Sequence, residues 1–254
     1  MPRVISIHSY RGGTGKSNFA ANLATTVALL GYRVGVVDTD LPSPGIHTLF
    51  DLEPEDMDKT LNHYLWGNAP IEAAAYDVSA RIGMEAQGNK GTLFFVPSSV
   101  RVDDITRILQ EGYDVAVLKE GLRQLVKELN LDFLFIDTHP GLSRETFMSI
   151  ALSHVLILIL RPDKQDYQGT AVVVDLVREL NARRILLAIN KVHSQINPEV
   201  LKQKVEETYN APVSGILPFS EDMLKLASEG VFCVKYPDHP VSQQLYQIAI
   251  DLMA

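Results

Sequence analysis

Several stretches of this 254-residue chain are apolar through nearly their whole length, among them "LFFV" at 93–96, "FLFI" at 133–136, "VLILIL" at 155–160 and "LLAI" at 186–189. A strand with one wet face alternates polar and apolar residues, whereas a strand without alternation must be covered on both sides. Helical patterns separate the runs, from about Ser17 to Leu30, from Tyr113 to Leu129, and through "GTAVVVDLVREL" at 169–180. Strands "RVISIHS" and "RVGVVDTD" complete the alternation. The pattern predicts an α/β fold, a doubly wound and mainly parallel sheet with helices on both faces. Its length suits one domain spanning 1–254.

Asp51 to Lys90 differs in character, with "EPEDMD" and "EAQGNKG" rich in acidic and turn residues. We expect a surface excursion with short helices there. The apolar runs are far shorter than the roughly 20 residues a spanning helix requires. The first residues enter a strand directly, without a signal-peptide layout, and Cys233 is the one cysteine, so the expected setting is the cytoplasm. A net charge of −8 argues against a protein that coats nucleic acid with its whole surface, while leaving room for a local basic patch.

The first strand runs into "SYRGGTGKSNFA", Ser9 to Ala20, and a helix follows. Strand, glycine loop and helix in that order make a phosphate cradle. Backbone N–H groups of Gly12, Gly13, Thr14 and Gly15, with the helix start at Lys16, Ser17 and Asn18, would face an anion at the positive end of the helix dipole. Lys16 would reach the β- and γ-phosphates, and the Ser17 hydroxyl would ligate Mg²⁺. Asp38, Asp40 and Asp137 stand at or just past the ends of apolar strands and converge on the ligand-facing sheet edge. A Mg²⁺-nucleotide site accounts for the three together, with Asp40 the candidate for catalysis and Asp137 for metal support.

Tyr10 occupies the place of the first glycine in G-x-x-x-x-G-K-[ST]. The loop instead resembles the deviant Walker A box of the ParA/MinD superfamily of ATPases, K-G-G-x-x-G-K-[ST] or its shorter form K-G-G-x-G-K-[ST]. "VGVVDTDLPSPG" is similar to that family's second motif, and "LDFLFIDTHPGLS" to its Walker B and switch region. The resemblance implies that Asp40 orients the attacking water and that Asp38 supports the Mg²⁺ shell. It also implies that Asn190, with the loop of Pro218 and Phe219, holds the adenine of ATP.

In that family the signature lysine reaches the partner's nucleotide across a dimer interface, and Arg11 stands in its place here. Arg11 could act in trans as an arginine finger, or point to solvent or pair with a nearby carboxylate. Lys164, in "RPDKQDYQGT", is a second candidate for the lysine's part. The carboxysome-positioning branch called McdA lacks the loop lysine in a similar way.

The resemblance implies an ATP-dependent homodimer, a stimulating adaptor protein, and reversible attachment to non-specific DNA that places a cargo such as a carboxysome. ATP-bound protein would then be nucleoid-associated. Arg178, Arg183, Arg184, Lys202 and Lys204 are the DNA candidates. A MinD-like membrane helix is the weaker option, since no lysine or arginine follows Lys235, and Leu245, Ile248, Ile250 and Leu252 suit a helix packed on the body. One cysteine excludes a nitrogenase-reductase-like cluster. An ATP-dependent small-molecule ligase or kinase stays open, with the 51–90 excursion as the source of its pocket. His139 is read as a γ-phosphate sensor or a local backbone partner, and His8 as a buried, satisfied side chain. No His pair has metal-ligand spacing, so Mg²⁺ is the metal expected.

Overall fold

The computed structural model describes residues 2–84, 91–143, 147, 150–179 and 184–253. In chain order the strands are β1 (Arg3–His8), β2 (Arg33–Asp38), β3 (Tyr76–Asp77), β4 (Thr92–Val96), β5 (Phe133–Asp137), β6 (Val155–Leu160), β7 (Ile185–Val192) and β8 (Val213–Pro218). The long helices are α1 (Lys16–Leu29), α2 (Val102–Glu111), α3 (Val115–Glu128), α4 (Lys164–Glu179), α5 (Pro198–Tyr209) and α6 (Pro240–Met253). The described strands form one eight-stranded sheet in the order β3-β4-β2-β5-β1-β6-β7-β8. All neighbours are parallel except the β3–β4 pair at one edge.

The unalternated runs behave as their composition requires. Every residue of β5 and β6 is buried, while the edge strand β8 alternates buried and half-buried positions. Successive side chains of a strand enter opposite layers. Phe133 and Phe135 pack with Phe19, Leu23 and Val27 of α1 and with Leu245 and Ile248 of α6. Leu134 and Ile136 pack with Leu118, Leu122 and Leu125 of α3. Leu156, Leu158 and Leu160 of β6 meet Val173, Val174 and Val177 of α4. Each fully buried side chain of this kind contributes about 1.5–3 kcal/mol relative to exposure.

Two expectations need correction. The 51–90 excursion carries the short helix Leu61–Leu65, two 3₁₀ turns and β3, yet it is not merely a surface feature. Leu52, Leu61, Ile71, Ala74 and Val78 are buried, because the excursion covers the sheet edge beside β4. α4 runs through the expected stretch and starts at Lys164. The C-terminal helix packs on the body through Leu245, Ile248 and Leu252, but Ile250 is 36% exposed, pointing off the packed stripe. Among the described residues, no helix is long and apolar enough to cross a membrane.

Candidate functional site

β1, β5 and β2 lie side by side at the centre of the sheet, and their C-terminal ends coincide, with Asp137 in register with both Ile7 and Asp38. Three cross-links fix those ends. Thr39 donates through N and Oγ1 to Asp137 O, at 2.9 and 2.7 Å, and Thr138 N donates to Ile7 O at 3.2 Å.

From β1 the chain enters the glycine loop. Gly15 precedes α1 with φ at +90°, and a Cβ there would lie 2.5 Å from Asn190 Nδ2, so glycine is required twice over. No side chain caps the start of α1, and its first turn holds no acidic residue. α3 and α5, by contrast, are capped by Asp114 and Asn197. An uncapped helix start with the backbone donors of a glycine loop is suited to an anion.

Lys16 is 6% exposed and donates from Nζ to Asp137 Oδ1 at 2.7 Å. Ser17 Oγ lies 3.5 Å from the same ammonium. Asp137 is fully buried, and among the described residues its Oδ2 has no hydrogen-bond partner, nor has the buried Thr14 Oγ1. Burial raises the Asp137 pKa, opposed by the Lys16 charge. Burial, and then the neighbouring Asp137 carboxylate, pushes Asp38 up to about 7, while Lys16 pulls it down. Buried carboxylates with an orphan oxygen, one ammonium and an uncapped helix start fit a magnesium-bound polyphosphate. Among the described residues, no three His, Cys, Asp or Glu side chains form a metal cage.

Asp38 accepts backbone N–H groups from Asp40 at 3.0 Å, Gly45 at 3.2 Å and Ile46 at 3.5 Å, organising the segment after β2. The Asp40 side chain is 10% exposed and meets His139 Nδ1 at 2.6 Å through Oδ1. His139 therefore pairs with a carboxylate, a partner the sequence reading did not foresee. His8 is buried as expected, but only half satisfied: Nδ1 meets Thr138 Oγ1 at 2.8 Å and, among the described residues, Nε2 has no hydrogen-bond partner.

On the far side, Asn190 donates from Nδ2 to Thr14 O at 2.8 Å, and its Oδ1 accepts Lys191 N at 2.9 Å. Asn190 thus braces the loop as well as lining a cavity of about 250 Å³ with Gly15, Asn18, Pro218 and Phe219. The cavity is mostly apolar and adjoins the loop, as a purine pocket must. Lys191, which the sequence reading passed over, donates to Gly13 O at 2.8 Å from a left-handed backbone at φ +58°. Its signal was a lysine directly after Asn190 at the end of an apolar strand.

Gly12 and Gly13 lie in the loop, and Arg11 turns back onto its own chain. Its guanidinium donates to Gln165 Oε1 and stands 3.8 Å from Asp166 Oδ1, both residues of α4. Lys164, the first residue of α4, is exposed.

Arg178 donates to the carbonyls of Tyr209 and Asn210 at the end of α5. Lys202 and Lys204 are two residues apart on α5 and so point about 200° apart. Arg184 is exposed, and Arg183 lies outside the described residues. A cavity of about 510 Å³ borders the excursion, but Arg81 there is engaged with Asp56 and Asp51 O, and Lys235 with Glu229 O.

A family model described as an AAA domain matches residues 2–198. The chain is 29% identical over its full length to an uncharacterised ATP-binding protein of Methanocaldococcus jannaschii, of which it covers 88%. The solved structure of septum site-determining protein MinD from Pyrococcus horikoshii, complexed with Mg-ADP, is similar with a TM-score of 0.81 at 25% identity. That match covers 99% of this chain and 96% of the other. Apo McdA of Cyanthece is similar with a TM-score of 0.79 over the whole of both chains, and at 16% identity the likeness is one of fold.

Proposed function

We propose, from the premise that this chain belongs to the ParA/MinD family of P-loop ATPases, that it is an ATP-hydrolysing switch that dimerises with ATP and positions a cellular cargo together with an adaptor protein. The observation that carries the reading is the buried Lys16–Asp137 pair beside the uncapped start of α1. Phosphate oxygens entering the cradle would meet the Lys16 ammonium and the loop N–H groups, and Ser17, Asp38 and Asp137 are the residues that would hold Mg²⁺. Bound there, the cation would supply neutralising positive charge to the phosphates. Asp40 orients the attacking water, and the cavity beside Asn190, Pro218 and Phe219 takes the adenine. The Mg-ADP bound by the Pyrococcus horikoshii relative is consistent with this cargo of the loop.

Reversible attachment to non-specific DNA, and a carboxysome or another large assembly as cargo, complete the reading. α6 carries no lysine or arginine between Pro240 and Met253.

The test is the solution mass without nucleotide, with ADP, and with ATP plus Mg²⁺. Asp40→Ala should bind ATP, slow turnover about a hundredfold or more, and accumulate as a dimer. Lys16→Ala should lose nucleotide binding. Arg11→Ala should keep the ATP dimer, because Arg11 is held by α4 of its own chain, and Lys164→Ala should weaken it. A mass that stays monomeric under all three conditions would overturn the switch and favour the small-molecule enzyme.

A further inference from the structure

We propose that His139 is a positioning residue for hydrolysis, holding the Asp40 carboxylate in the orientation that receives the attacking water. The inference rests on the assignment of Asp40 given above. Asp40 lies two residues past the end of β2, and its backbone N–H donates to Asp38 Oδ1 at 3.0 Å. That contact fixes the main chain and leaves the side-chain torsions undetermined. The second contact fixes the carboxylate itself: His139 Nδ1 lies 2.6 Å from Oδ1. An ionised carboxylate only accepts, so the proton sits on Nδ1 and the imidazole donates. With Oδ1 engaged, Oδ2 is the oxygen that accepts from water.

The histidine is held on a firm base. Thr138 N donates to Ile7 O at 3.2 Å on one side of it, and Gly141 N donates to Ser9 O at 3.1 Å on the other. Thr138 Oγ1 adds a bond to Ile7 O at 3.0 Å. Both anchors belong to the chain that leads from β1 into the phosphate loop. The imidazole therefore references Asp40 to the same frame that places the phosphates, which is what an in-line attack requires. The contact is also sheltered unequally, with the His139 side chain 42% exposed and that of Asp40 10%, so removing the ring would not empty a core position.

The test is single-turnover ATP hydrolysis by the full chain, with affinity for a fluorescent ATP analogue and melting temperature measured on the same variants. His139→Ala should lower the rate about ten- to a hundredfold, the scale of a misplaced catalytic group, with affinity and melting temperature unchanged. His139→Asn, whose amide can donate in place of Nδ1, should recover most of the loss. In an Asp40→Ala background, His139→Ala should cost nothing further, because the two act as a unit. Wild-type rates in His139→Ala alongside a slow Asp40→Ala overturn this inference and leave the assignment of Asp40 standing. Wild-type rates in Asp40→Ala overturn that assignment instead. A loss that persists in full in the Asp40→Ala background, or a melting-temperature drop that Asn does not rescue, also overturns the positioning role.

Discussion

At the scale of single residues, His8 shows what burial beside the phosphate loop does to an ionisable group. Burial, with smaller contributions from the Lys16 and His139 charges, lowers its pKa to about 3. In the unfolded chain the imidazole protonates near its ordinary value of about 6.5. The unfolded state therefore binds more protons between those values, and the stability contributed by neutral His8 is complete above about pH 6.5 and lost as pH falls through about 3. At about 1.4 kcal/mol per pKa unit, wild type should lose about 3 kcal/mol more than His8→Leu between pH 7.5 and 4.5. Urea unfolding at those two pH values measures the difference, and equal losses would show that His8 is not neutral in the fold. The sequence pattern was enough to bury His8, since it sits in an apolar strand. Its partner could not be read there, because Thr138 is 130 residues away and meets it only through the β1–β5 pairing. The pairing of His139 with Asp40 escaped sequence reading for the same reason.

Among the elements, the contact between the glycine loop and α4 departs most from what the motif alone suggests. Tyr10 stands where the common loop has its first glycine, and its ring lies against Gly169 of α4, where an added Cβ would fall 1.9 Å from Tyr10 Cδ1. Arg11 extends the same contact to Gln165 and Asp166 one turn earlier. Gly169→Ala should therefore displace the loop and weaken ATP binding about tenfold, a cost in the range of overpacking a tight contact. Tyr10→Gly should relieve the double variant, and titration with a fluorescent ATP analogue distinguishes this from a general loss of helix stability, which Tyr10→Gly would not repair. Gly169 lies inside α4, which starts at Lys164. The helix starts there because Asp163 Oδ1 accepts the N–H groups of Gln165 and Asp166 at 3.1 and 3.0 Å. α5 carried a readable start as well, with Asn197 as cap and Pro198 in the first turn. β8 was harder, because only half of its residues are buried and a cleanly apolar run never forms.

For the whole molecule, the proposed DNA attachment has to work against a net charge of −8. Affinity for a duplex comes from phosphates neutralised, and each one steepens the dependence on salt. Arg178 is taken up by the end of α5, which leaves Arg184, Lys202 and Lys204 among the described candidates. Lys202 and Lys204 diverge on their helix, so one of them at most can share a duplex with Arg184. Glu199, Glu206 and Glu207 on the same helix work against both. A two-fold dimer doubles the two usable cations to four, and four phosphate contacts predict a log–log salt slope of about −3.6 for the ATP-bound dimer. The ADP-bound monomer, with half the contacts, should have half the slope and far weaker binding. Fluorescence anisotropy of a labelled random duplex, titrated with ATP-loaded Asp40→Ala over a range of salt, gives the slope directly. Arg184→Glu should abolish binding, whereas Arg178→Ala should leave it intact, since Arg178 already serves the α5 terminus. Anisotropy that does not rise even at low salt would remove DNA as the target, and binding of the same dimer to anionic vesicles would then place the output on a membrane surface.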